Sequence, residues 1–89
     1  MKYKINEESK IPIYRQLADI LSAEIKGGGL AHGAKLPTVR ELAEEAKVAR
    51  GTVKRAYEEL RQSGMVEMTQ GRGTFVKYSP EDGKSRKDK

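Results

Sequence analysis

Eighty-nine residues with 18 Lys+Arg against 13 Asp+Glu, a formal net charge of +5, fit one small basic domain. With no cysteine and a single histidine, His32, the chain cannot build a disulfide scaffold, a thiolate metal site or a paired-imidazole centre. No apolar run nears the roughly 20 residues that span a bilayer, and the opening MKYKINEESK lacks the apolar stretch of a secretory signal, so a cytoplasmic location is expected; the basic excess suggests an anionic partner without choosing between nucleic acid, membrane surface and acidic protein.

Residues 1–11 read as a polar N-terminal extension, frayed or extended. From there Ile13, Leu17, Ile20, Leu21 and Ile25 recur at the spacing of one helix face, Pro12 suits a first turn, and Gly27-Gly28-Gly29 ends the run. The first helix is predicted at about 12–27. Residues 28–37 form a connector in which Ala34-Lys35-Leu36 reads as a very short strand. Thr38-Val39-Arg40-Glu41 is a T-x-x-E capping box. With Val39, Leu42, Ala43 and Ala46 following at helical spacing, it predicts a second helix over 39–46. Lys47-Val48-Ala49 is a tight turn. Val53, Ala56, Tyr57 and Leu60 then predict a third helix over 50–62, stopped by Gly64. Two β-prone runs, Met65–Thr69 and Thr74–Tyr78, joined through the four residues Gln70-Gly71-Arg72-Gly73, read as a hairpin. The tail Ser79–Lys89, SPEDGKSRKDK, has none of the large apolar residues a core needs and reads as disordered or as the start of a linker. Two short helices joined by a three-residue turn and followed by a hairpin make a mainly α winged helix-turn-helix over 12–78, with the first helix bracing the other two.

On a helical wheel the third helix turns Val53, Ala56, Tyr57 and Leu60 inward and Gly51, Lys54, Arg55 and Glu58 outward, with Arg50 and Thr52 flanking the first turn. Its exposed N-terminal half thus carries Arg50, Lys54 and Arg55 with no acid before Glu58. A major groove about 12 Å wide accepts one helix, and arginine matches guanine in a bidentate pair. Gly51 removes a side chain where backbone and DNA come closest. Lys54–Glu58, Arg55–Glu59 and Arg40–Glu44 also read as solvated i, i+4 pairs. At the hairpin tip, glycine-flanked Arg72 suits a narrow minor groove; it also reads as a solvated turn residue. Phe75 and Tyr57 read as core, His32 as an exposed loop residue, and Tyr3, Tyr14 and Tyr78 as either packing or partner surface.

Four segments, PIYRQLADILSAEI (12–25), LPTVRELAEEAKV (36–48), ARGTVKRAYEELRQSGMVE (49–67) and QGRGTFV (70–76), stand in an order and spacing that resembles the N-terminal winged-helix domain of the GntR family of bacterial transcription regulators. The forms PIY, TVREL and AYEEL resemble its YtrA-like and MocR-like branches. The resemblance implies binding to double-stranded operator DNA, as a homodimer on inverted repeats. It implies that Arg40 reaches the operator, that Arg50 and Lys54 read bases, that Thr38 and Thr52 hold phosphates, and that the wing tip, Gln70, Gly71 and Arg72, enters the minor groove. Gly51 departs from the Thr, Ser or Asn usual after Arg50, and Ala49 from the usual Ser or Thr cap, a loss of about 1 kcal/mol. The resemblance also implies a C-terminal effector or dimerisation domain beyond the wing; in a MocR-like parent it would be an aminotransferase-like domain using pyridoxal phosphate.

The expectation is therefore a sequence-specific operator-binding domain of a regulator, a repressor by the family's habit. It uses no cofactor in this segment and is a monomer or weak dimer without DNA. A protein-interaction winged helix that docks an acidic partner is the rival. An enzyme finds no nucleophile–base pair among these residues.

Overall fold

The structure is a computed structural model and describes residues 3–78; the disorder expected for 79–89 lies outside the described residues. Three helices, α1 (Ile13–Lys26), α2 (Val39–Ala46) and α3 (Arg50–Gln62), precede two strands, β1 (Val66–Thr69) and β2 (Gly73–Val76). The second and third helices fall where the apolar spacing put them. The first is one residue shorter at each end, because Pro12 is its N-cap rather than its first helical residue. Within the Gly27-Gly28-Gly29 stop, Gly27 stays right-handed and Gly28, at φ +89°, takes the left-handed position that glycine tolerates.

The core is formed where these elements meet. α1 buries Leu17, Ala18, Leu21 and Ile25, α2 buries Leu42, Ala43 and Ala46, and α3 buries Val53, Ala56, Tyr57 and Leu60. Fully burying a Leu, Ile or Val contributes about 1.5–3 kcal/mol, so a domain of this size depends on each. Ile13 and Ile20, placed on the inner face by spacing, are only half-buried; the buried stripe of α1 runs through Ala18 instead. α1 lies chiefly against α3, and α2 packs on α3 as well, so the first helix braces the third more than the second.

The N-terminal segment is not frayed over its described part. Tyr3 and Ile5 pack against the core. The Gln16 side chain donates to the Asn6 and Ile11 carbonyls at 2.9 and 2.8 Å, and its Oε1 accepts from the Asn6 N–H at 2.8 Å. One amide on α1 thus holds the entering chain. The polar composition of 1–11 hid the two apolar residues that matter.

β1 and β2 pair antiparallel, Val66 opposite Val76 and Thr69 opposite Gly73. The loop is therefore three residues, Gln70–Arg72, and not four, because Gly73 joins the ladder. The Arg72 N–H closes the turn on the Thr69 carbonyl at 3.0 Å, with Gly71 at φ +83° in the position that needs positive φ. Of the short strand expected at 34–36, a single bridge forms against the outer side of β2, and the sheet stays two-stranded. Lys35 bridges Phe75, Leu36 N–H donates to Thr74 at 2.8 Å, and Val76 N–H donates to Ala34 at 2.8 Å. Alternation along β2 sends Val76 inward, so Phe75 lies on the outer face with its partners Glu67 and Lys35 and stays outside the buried core, contrary to the core placement read from its scarcity.

Candidate nucleic-acid interface

The turn between α2 and α3 is set by Lys47, left-handed at φ 59°, whose N–H returns to the Ala43 carbonyl. It presents the start of α3 to solvent. Arg50, Gly51, Lys54 and Arg55 are exposed there, and Thr52 is half-buried. A Cβ at Gly51 would meet nothing within 4 Å, so no contact inside the chain demands glycine at that position. Ala49 has extended N-cap geometry but offers no side-chain cap, which leaves first-turn N–H groups of α3 to face outward.

The local ion pairs weighed for α3 do not form. Glu58 is bound by the Arg61 guanidinium, whose hydrogen bond holds its carboxyl below the usual glutamate range. Glu59 faces Arg15 on α1 at 3.7 Å. Among the described residues, Arg50, Lys54 and Arg55 therefore have no carboxylate partner. Arg55 instead stacks on Tyr14, its Cζ 4.2 Å from the ring centroid, and its Nη2 donates to the Tyr14 hydroxyl at 3.4 Å. A shallow depression at this seam is lined by Ile13, Tyr14, Gly51, Thr52 and Arg55. Arg40 does pair with Glu44, at 3.7 Å, but both side chains are more than 70% exposed (73% and 72%), and such a pair is worth little in water.

The wing contributes to a second exposed surface. Lys54 of α3, Thr38 at the start of α2, and Gln70, Gly71 and Arg72 of the wing line one open groove of about 630 Å³. Thr38 also holds its capping box: its Oγ1 accepts the Glu41 N–H at 3.0 Å, and the Glu41 carboxylate accepts the Thr38 N–H at 2.9 Å. That leaves the Thr38 hydroxyl hydrogen to donate elsewhere. Tyr57 fixes this corner from below, donating its buried hydroxyl to the Pro37 carbonyl at 2.6 Å. The structure thus gathers Thr38, Lys54, Gln70, Gly71 and Arg72 on one groove and Gly51, Thr52 and Arg55 on the neighbouring seam, with Arg50 exposed at the tip of α3 and Arg40 exposed on α2. Lys35 escaped the sequence reading of these surfaces, and Tyr14, which reads as either packing or partner surface, finds its partner only in the fold. Both are brought in by partners about 40 residues away in the chain, Phe75 and Arg55, for which no local pattern exists.

Three helices, a hairpin wing hydrogen-bonded back to the connector, and a cationic third helix beside that wing define a winged helix-turn-helix domain. The family described as bacterial regulatory proteins, gntR family, matches residues 13–76, and the chain belongs to it. It is 43% identical over 72 residues to the transcriptional repressor NagR of Bacillus subtilis, a match that takes in 81% of this chain and 30% of NagR. Among solved structures, YtrA of Sulfolobus acidocaldarius, a GntR-family transcription factor, superposes with a TM-score of 0.82 at 39% identity, covering 99% of this chain and 93% of YtrA. AraR(DBD) in complex with operator ORX1 superposes with a TM-score of 0.76 at 28% identity, covering 85% and 98%. The chain spans under a third of NagR's length.

Proposed function

We propose that this chain binds double-stranded operator DNA sequence-specifically, as the reading head of a transcription regulator that acts as a repressor. Its role is binding and not catalysis, it needs no cofactor, and it works in the cytoplasm. α3 lies in the major groove with Arg50 and Lys54 at base edges and Arg40 alongside. Gly51 allows close approach of the backbone. Thr38, Thr52 and Arg55 hold phosphates, and the tip Gln70–Arg72 enters the adjacent minor groove. Two copies pair on an inverted repeat. The observation that carries this reading is the shared groove: a cation of α3 and the cation of the wing tip open onto one cleft, while both acids of α3 are bound elsewhere. NagR's description as a repressor and AraR's operator complex support it.

Selection of bound duplexes from a random pool tests this directly, because it reports motif, symmetry and half-site spacing together. A palindromic consensus is expected. Fluorescence titration of Arg50→Ala on the selected and a scrambled duplex should then show a loss of about 1–3 kcal/mol on the selected duplex alone, traceable to one or two base pairs. Equal losses on both duplexes would remove Arg50 from base reading, and a pool that yields no enriched sequence would refute operator recognition.

A further inference from the structure

The groove between α3 and the wing holds a third cation. Lys35 sits in the edge segment that bridges Phe75. Strand alternation turns Leu36 into the core at 2% exposure and leaves Lys35 exposed on the opposite face. The Lys35 stem lies across Gly73. A Cβ built at Gly73 would stand 2.9 Å from Lys35 Cε and 3.8 Å from its Nζ, so bare glycine backbone is the bed on which the stem rests. Among the described residues Lys35 has no ion-pair partner. It lines the same groove as Thr38, Lys54 and Arg72, where the single carboxylate, Glu58, is already held by Arg61.

A major groove and the minor groove beside it share one ridge, a single phosphodiester strand. If α3 occupies one and the wing tip the other, that strand runs along the groove between them. We infer that Lys35, given the operator reading above, is a phosphate contact whose ammonium pairs with a non-bridging oxygen of this strand. As a flexible point charge it adds affinity and register without choosing a base.

Lys35→Met keeps an unbranched stem over Gly73 and removes the charge; Lys35→Arg keeps a charge. Wild type and both variants are titrated from 50 to 200 mM salt onto a duplex carrying the selected sequence and onto a scrambled duplex of equal length. One lost phosphate contact lowers the slope of log affinity against log salt by about 0.9. Lys35→Met should bind both duplexes about three- to tenfold more weakly at the low-salt end, with that smaller slope and an unchanged thermal midpoint, and Lys35→Arg should restore the slope. A single neutral methylphosphonate, moved along the strand between the two grooves, should reproduce the loss in wild type at one position and add nothing to Lys35→Met. An unmoved slope in Lys35→Met, beside a wild type that binds in a salt-dependent way, overturns the assignment and leaves operator binding intact. A wild type that binds neither duplex overturns both.

Discussion

Replacing Tyr57 by Phe removes one hydroxyl from a residue that is 1% exposed and keeps the ring. That hydroxyl donates to the Pro37 carbonyl at 2.6 Å, tying α3 to the residue before the α2 cap. An intramolecular hydrogen bond contributes about 1 kcal/mol net, and an acceptor left buried without a partner raises the loss toward about 3 kcal/mol. Pro37 is half-buried, so water reaches part of the vacated site and the lower end applies, about 1–2 kcal/mol. For a domain of this size that is a fall in Tm of about 4–16 °C near neutral pH. The same hydroxyl carries a pH signature. Burial above all, then the neighbouring Tyr3, Glu41 and Glu45, pushes the Tyr57 phenol far above its ordinary value of 10.0. The folded chain then keeps a proton that the unfolded chain releases. This contribution is whole below pH 10 and drains above it, by about 1.4 kcal/mol at pH 11. Tyr57→Phe has no proton to lose there. Its Tm deficit, followed by circular dichroism from pH 7 to pH 11, should therefore shrink at the alkaline end, while the shift of Tyr3, also upward, is common to both proteins. A deficit that stays constant to pH 11 would refute the claim that the fold holds this phenol protonated.

Two further substitutions probe the backbone around the interface. Ala49 has N-cap geometry, φ −69° and ψ 151°, without a capping side chain, so Ala49→Ser should raise stability by about 0.5–1 kcal/mol in thermal melts. Gly73→Ala forces a side chain onto φ +125° and into the Lys35 stem, and chemical denaturation should show a loss of about 1–3 kcal/mol.

Where the physics is local, the sequence reading located the elements well. The reciprocal Thr38–Glu41 cap and the spacing of Leu42, Val53, Tyr57 and Leu60 are properties of single helices, and α2 and α3 fall on their expected residues. Elements that depend on pairing were less legible. Gly73 reads as loop because it is glycine, yet its place opposite Thr69 makes it strand. Phe75 reads as core because large apolar residues are scarce, yet the inward turn of Val76 assigns its neighbour to the other face. The interface divides in the same way. Arg50, Lys54 and Arg72 are legible from helix phase and turn chemistry. Arg55 is legible as an outward cation, but its setting is not: i, i+4 logic offers Glu59, while the folded chain supplies Tyr14 from α1 and gives Glu59 to Arg15.

The hydrogen bonds from Gly33 to Val76, Leu36 to Thr74 and Val76 to Ala34 stitch the wing to the very segment that leads into Thr38. The hairpin is thereby a fixed jaw and not a loose flap. Its offset from α3 is built in before any duplex arrives, like the set opening of a calliper. On the proposed operator reading, a duplex would have to present its neighbouring furrows at that gauge, and sequences that widen or narrow the minor groove beside the contacted bases would be sorted by shape as well as by letter.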